Sequence, residues 1–235
     1  MISDRDIYFF DLRGYLLLKG ALSADEVAEL NTGIDAIPPL EPGQWHGHVR
    51  THTYGTRDGL NLQQIYEAGE PFECLIDHPA WFERATHFIG GEGNFDSYHG
   101  PAFIDENFAN LRGPGEAIGI HNGGHLGLIR CQYRVLNGRF HCAQINVLMA
   151  LTDIHEGDVL MFVDAVSHGS AKRVNPGQRR VVVYRYGPSW GNFRHPYQPS
   201  AELFERLTPK RRQIVHPQAV MAQKQGVVGP GNRGY

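Results

Sequence analysis

From Asn94 onward the chain breaks into short apolar stretches divided by Gly, Pro and Asn, and that rhythm confines it to packed sheets. Such stretches are too short for core helices, and the turn residues between them fold the chain back on itself as a sandwich or barrel requires. The candidate strands are 102–104, 117–121, 129–136, 142–151, Val159–Val163 and 180–186. The run 139–151 is apolar at almost every position, which predicts a central strand covered on both faces. Asn137-Gly138, set between two such runs, is the strongest short hairpin signal in the chain. A content of 28 Gly and 14 Pro agrees with many turns.

The segment ahead of the strands reads differently. Ser23 and Glu26 make a capping box, and Val27, Leu30 and Ile34 follow at helical spacing, so a helix is predicted over 24–36. Tyr15–Leu18 reads as a short buried strand. Residues 38–56 are rich in Pro, Gly and His without a clear period, which predicts a loop or lid. Pro79 and the apolar residues after it predict a helix over 79–89. Ser200 and Thr208 can cap short helices at 201–207 and 209–215, and the Gly-rich tail after Gln218 has no period. No internal repeat is present.

Several function classes are excluded by composition. A formal net charge of −3 offers no basic field for a phosphate backbone, so nucleic acid is not an expected partner. No apolar run approaches the roughly 20 residues that span a bilayer, and Met1 to Asp6 lacks the basic start of a leader. A soluble, cytoplasmic protein is expected. Three cysteines, Cys74, Cys131 and Cys142, make neither a disulfide framework nor a close metal-binding pair.

Chemistry is carried by histidines, of which there are 13. A mononuclear iron site that activates O₂ needs two imidazoles, usually with one carboxylate, on one face of the metal. His121 ends the predicted strand 117–121, and His168 follows the apolar run Val159–Val163. After His168 come Ser170 and then Arg179, at the start of a strand. A guanidinium fork and a hydroxyl can hold the far carboxylate of a chelating keto diacid, and Arg179 and Ser170 fit those roles. Strand alternation turns one of Arg179 and Arg180 outward, and Arg179 is taken as the inward one. Asn146, on the strand preceding Thr152, is a further candidate for a cosubstrate contact.

The run from Tyr8 to Ser23, the block from Asp105 to Pro114, the strand from Gln144 to Asp153 and the segment from Phe162 to Trp190 together resemble the phytanoyl-CoA dioxygenase family over nearly the whole chain. The resemblance implies a mainly β fold, a double-stranded β-helix (jelly roll, cupin-like) with flanking α-helices. It implies a single domain over 1–235, with a helical and lid region at 1–93, a jelly-roll core at 94–190 and C-terminal helices and tail at 191–235. It also implies Fe(II) as cofactor, 2-oxoglutarate as cosubstrate, O₂ and a small-molecule substrate, and hydroxylation with loss of CO₂. By the same resemblance His121 and His168 are the metal ligands, and Arg179 with Ser170 binds the distal carboxylate.

Two departures stand out. The family's usual His-x-Asp reads here His121-Asn122-Gly123-Gly124-His125, so the carboxylate position holds a glycine, which cannot bind iron. Water or a distant carboxylate at that position leaves a hydroxylase, the first reading. Chloride there makes a 2-oxoglutarate-dependent halogenase, the second, since halogenases similar to this family carry Gly or Ala at that place. His125 is a third ligand candidate, and a non-catalytic binding module is the remaining alternative. The second departure is that Asp158 runs straight into Val159, where family members usually continue for a few dozen residues; either a lid and edge strands are missing or a segment is left out.

His46, His48 and His52 share one loop but lack an acidic or cysteine partner, so a solvent-facing loop is expected there rather than a metal cluster. Trp45, Gln63, Gln64, His99 and Asn107 are candidates to line a pocket, with Trp190, Phe193 and Tyr197 as its far wall. No cluster of positive charge marks a CoA handle, which implies a small, carrier-free substrate.

Overall fold

The computed structural model describes residues 2–55, 59–91, 95, 100–115, 117–122, 132–152, 155–189, 191 and 197–216. Helices gather towards the two ends of the chain: α1 (Asp4–Arg13), α2 (Ala24–Asp35), α3 (Glu70–Glu73) and α4 (Phe82–Ile89) are interspersed with the first four strands, and α5 (Ala201–Arg206) and α6 (Pro209–Val215) follow the last strand. The strands are β1 (Tyr15–Leu18), β2 (Trp45–His46), β3 (Val49–His52), β4 (Leu60–Gln63), β5 (Phe103–Arg112), β6 (Ile118–His121), β7 (Val135–Leu136), β8 (Arg139–Phe140), β9 (Ile145–Ala150), β10 (Val159–Val163), β11 (His168–Ser170) and β12 (Arg179–Gly187). An antiparallel sheet of eight runs in the order β1-β10-β9-β12-β5-β4-β3-β2, while β6 pairs with β11 and β7 with β8. The β6·β11 pair is tied to the large sheet where Arg112 of β5 donates to Ser170 of β11, and where the Phe162 ring of β10 packs 4.8 Å from that of His168. The architecture is a jelly roll.

The two faces of the large sheet do different work, and period-two alternation assigns them. On one face Val182, Tyr184 and Tyr186 of β12 join the main core with Phe72, Leu75, Trp81 and Phe88. Their polar ends are satisfied there: the Tyr184 hydroxyl donates to the Phe72 carbonyl at 2.6 Å, and the Trp81 indole N–H donates to the Tyr186 hydroxyl at 3.1 Å. On the opposite face Val181 and Val183 pack with Phe108 and Leu148 in a small separate cluster. That cluster shares its face with Arg179 and Arg185, so it belongs to the interior of the roll.

Local signals explain most elements. The Ser23–Glu26 capping box is closed in both directions, and α5 and α6 start at Ser200 and Thr208, each of whose hydroxyls accepts an N–H of the first turn. Asn137 and Gly138 both hold positive φ, 51° and 74°, as a two-residue hairpin turn between β7 and β8 requires. Other expectations are corrected. Residues 4–13 form a helix that sequence reading did not identify; Ser3 and Asp6 make its capping box and Gly14 closes it at φ 74°. The 38–56 region is not wholly irregular, since β2 and β3 form a hairpin at the sheet edge. The run 139–151 is two strands, β8 and β9, rather than one, although β9 is central as expected. Of 129–136, residues 129–131 lie outside the described residues and only Val135–Leu136 is strand. No helix among the described residues is long and apolar enough to cross a membrane.

The direct passage from Asp158 to Val159 has a structural counterpart. β9 and β10 are sheet neighbours, and the turn joining them closes through the Ala150 N–H to the Asp158 carbonyl and the Gly157 N–H to the Ala150 carbonyl, both at 3.0 Å. Gly157 holds φ +82°, and a Cβ there would lie 2.5 Å from the Leu22 carbonyl oxygen. Gly157→Ala is therefore expected to destabilise the protein by about 1–3 kcal/mol. A melting temperature equal to that of the wild type would contradict this reading of the turn.

Candidate metal and oxoacid site

His121 closes β6 and His168 opens β11, and antiparallel pairing makes their Cα atoms direct partners. The two imidazole centroids are 4.4 Å apart. Each ring is oriented by its own backbone: His121 Nδ1 lies 2.9 Å from the Gly119 carbonyl, and His168 Nδ1 lies 2.7 Å from the Val166 carbonyl. A carbonyl only accepts, so both Nδ1 atoms carry a proton, and it is Nε2 of each ring that faces away from the backbone contact as the nitrogen available for metal ligation. Burial holds His168 below the ordinary imidazole pKa, and His121 and Arg185 push the same way against the Val166 carbonyl and Asp164. His121 is exposed whereas His168 is half-buried, so the pair sits at an opening of the roll.

Two residues beyond His168, Ser170 is the hub of a second cluster. Its Oγ accepts from Arg179 Nη1 at 3.1 Å and from Arg112 Nη1 at 2.8 Å. Arg112 and Arg179 are Cα partners across β5 and β12. Among the described residues no carboxylate pairs with Arg179, and its buried Nε has no partner. Burial lowers its pKa first, and the charges of Arg112 and Arg173 lower it further. Arg180, by contrast, reaches the outer helices, with Nη2 2.6 Å from Asp35 Oδ1. Two guanidiniums donate to one hydroxyl, and the charge of a third, Arg173, acts on Arg179; such an arrangement can receive an anion.

Asn146 of β9 lies in a buried polar row. Its Nδ2 donates to Asp164 Oδ1 at 3.1 Å, while its Oδ1 is buried without a partner among the described residues. Across β12 its Cα partner is Arg185, whose Nη1 lies 2.5 Å from Glu106 Oε2. Gln63 Nε2 donates to the same carboxylate at 3.2 Å, and the Tyr54 hydroxyl binds it as well. Arg112 and the Glu106–Arg185 pair were not identified from sequence as site residues; the signal was a run of polar residues inside an otherwise strand-like block.

The remaining candidates are dispersed or differently employed. Gln63, Gln64, Asn107 and Tyr197 do line one small concavity, together with Glu106. Trp45 is half exposed and packs under Arg50 at the sheet edge. His46 and His52 sit on the edge strands and His48 in the turn between them, where its Nε2 is 3.7 Å from Glu202. Among the described residues no group of three His, Cys, Asp or Glu side chains is placed to hold a metal. Gly123, Gly124, His125, Cys131, Asp153, His99, Trp190 and Phe193 lie outside the described residues.

No model of a protein family matches the chain, and no curated protein sequence matches it. Solved structures do. HygX from Streptomyces hygroscopicus, with nickel and 2-oxoglutarate bound, superposes with a TM-score of 0.67 at 15% identity, over 86% of this chain and 94% of that one. The non-haem, α-ketoglutarate-dependent epimerase SnoN from nogalamycin biosynthesis gives 0.56 at 12% identity, over 78% and 81%. AviO1 from Streptomyces viridochromogenes gives 0.54 at 15% identity, over 77% and 92%. The likeness shows a shared jelly-roll fold, one in which other proteins hold a metal and a keto diacid.

Proposed function

We propose that this chain is an Fe(II)- and 2-oxoglutarate-dependent oxygenase of the phytanoyl-CoA dioxygenase type, hydroxylating a small organic molecule. The observation that carries the reading is Arg179, a half-buried cation without an acid partner among the described residues, held on Ser170 two residues from a pair of histidines whose rings are oriented by backbone carbonyls. The fold agrees, because similar structures hold nickel with 2-oxoglutarate, or iron, at low sequence identity.

In this reading Nε2 of His121 and His168 would hold the iron, and Arg179 with Ser170 would receive the distal carboxylate of 2-oxoglutarate. Iron(II), when bound, supplies the electrons and open positions that let O₂ react with a keto acid and a C–H bond. The chain's own residues do the rest. The Gly119 and Val166 carbonyls fix the imidazole tautomers, the arginine seat fixes the keto acid's far end, and Asn146, bonded through Nδ2 to Asp164, offers a buried amide oxygen without a partner among the described residues. The overall balance is 2-oxoglutarate, O₂ and R–H giving succinate, CO₂ and R–OH. The substrate is taken as small and free of a carrier; HygX has been solved with hygromycin B and SnoN with nogalamycin RO, which makes polar, ring-bearing natural products the first compounds to try.

The test is succinate release from purified protein supplied with ferrous iron, 2-oxoglutarate and O₂ across such compounds, with product masses read alongside. Iron-dependent succinate and a product heavier by one oxygen are expected. A product carrying chlorine when chloride is supplied would favour the halogenase reading, which rests on Gly123 in place of the carboxylate. An inverted stereocentre without added oxygen would match the chemistry named for SnoN. Failure to bind 2-oxoglutarate at all would leave a jelly-roll binding module.

A further inference from the structure

Asn146 and Arg185 are direct Cα partners across β9 and β12, so their side chains share the inner face of the sheet. Asn146 is 1% exposed and turns its amide nitrogen to Asp164 Oδ1, 3.1 Å away. That carboxylate oxygen accepts, which orients the amide and leaves Asn146 Oδ1 buried without a partner among the described residues. Arg185 gives Nη1 to Glu106, yet its buried Nε–H is likewise unmatched among the described residues. An acceptor and a donor thus stand unanswered on neighbouring strands, and burying either costs free energy unless something binds it. The pair lies beside the histidines. Asn146 is also the Cα partner of Phe162, whose ring packs 4.8 Å from that of His168, and the charges of Asp164 and Arg185 both act on His168. On the other side Glu106 joins the pair to the concavity that Gln63, Gln64 and Tyr197 line. Gln64 holds a left-handed backbone, φ 58° and ψ 42°, and its Oε1 is a third buried atom without a partner among the described residues. Non-glycine residues are held in that conformation where the surroundings impose it, often at ligand sites.

We propose that Asn146 Oδ1 and Arg185 Nε form a substrate subsite that selects a neutral, polyhydroxylated molecule. The inference rests on the oxygenase reading above for the metal and the oxoacid, and adds to it a substrate class and the atoms that recognise it. A hydroxyl gives its hydrogen to Asn146 Oδ1 and accepts one from Arg185 Nε. A carboxylate would answer Arg185 but set oxygen against the Asn146 carbonyl, and an ammonium would answer Asn146 but face a guanidinium. The charge of Arg185 is already met by Glu106, whose Oε2 lies 2.5 Å from Nη1, so the subsite calls for no ion. Gln64, across Glu106, takes a second hydroxyl of the same ligand. The assignment moves Asn146 from the cosubstrate to the substrate, because the carboxylates of a keto diacid need donors and the unmatched atom of Asn146 is an acceptor.

The experiment is saturation-transfer NMR on the full chain with 2-oxoglutarate and zinc, a diamagnetic stand-in for iron, so that no turnover is needed. Myo-inositol, methyl α-glucoside and trehalose are set against cyclohexanecarboxylate and cyclohexylamine, six-membered rings that carry a charge and no hydroxyl. The polyols should receive saturation and the charged rings should not. In Asn146→Leu and in Arg185→Lys the polyol affinity should fall by about tenfold or more, as loss of one buried hydrogen-bond partner does, while 2-oxoglutarate titrated into nickel-loaded protein stays within about twofold. Arg185→Lys keeps a cation for Glu106 and removes only the Nε donor, so it serves alone should Asn146→Leu fail to fold. Polyol binding that survives both substitutions overturns the proposal, as does a 2-oxoglutarate affinity that falls in their place. Wild-type protein that binds 2-oxoglutarate but no polyol sinks the subsite and leaves the oxygenase reading standing. Polyol binding without 2-oxoglutarate binding removes that reading and keeps the subsite as that of a binding module.

Discussion

Replacing His168 or His121 by alanine is expected to weaken nickel or iron(II) binding by more than about 100-fold, because even residues that only support a ligand change metal affinity by about 10–100-fold. Both variants should also lose 2-oxoglutarate-dependent succinate release. The two substitutions differ in what else they disturb. His168 is half-buried and packs on Phe162, so its removal also costs some packing, whereas His121 is exposed at the end of β6 and its removal should leave the melting temperature nearly unchanged. His121→Ala is thus the cleaner test, and His168→Ala checks that both imidazoles serve one ion. Metal titration of each variant beside its thermal unfolding separates ligand loss from misfolding. If either variant keeps the metal affinity of the wild type, the two rings are not a shared site.

The fold was legible where local chemistry and burial agreed. β10 is a short apolar run with one reading, and α2, α5 and α6 announce themselves through Ser or Thr caps; β1 forms where expected, but at the sheet edge, with Tyr15 and Leu17 exposed rather than buried. β5 shows why other parts were not. The apolar run that marks it in the sequence ends at Ile104, and Asp105, Glu106, Asn107, Asn110 and Arg112 interrupt the strand pattern after it. In the structure the strand runs to Arg112, and each polar side chain named has a partner that only the folded chain brings near, such as Arg185 for Glu106 and Asn61 for Asn110. A polar central strand is affordable when the interior of the roll is itself a polar site. The same reasoning accounts for the candidate site. His121, His168, Ser170 and Arg179 lie beside turns and strand ends, so spacing and family likeness could nominate them, and the structure brings the two histidines together and Ser170 onto Arg179. Arg112 could not be found that way, since its relation to Ser170 arises from the pairing of β5 with β12 and the placement of β11 over both.

Replacing Arg179 by glutamine is expected to weaken 2-oxoglutarate binding by about 2 kcal/mol or more, roughly 30-fold, as loss of one partner from a buried charge pair does. The opposite sign is expected for the ligand-free protein. Arg179 is half-buried, its Nε has no partner among the described residues, and the charges of Arg112 and Arg173 oppose it. Neutralising it removes that repulsion and part of the cost of desolvating a guanidinium, while glutamine still offers an N–H to Ser170. The apo variant should therefore melt at or above the wild-type temperature, yet gain less from added 2-oxoglutarate, since stabilisation by a ligand scales with its affinity. That crossing of the two curves is what distinguishes a residue kept for ligand binding from one kept for the fold. A structural arginine would lower the apo melting temperature and leave the ligand-induced increment alone, and that outcome would unseat Arg179 from the cosubstrate role.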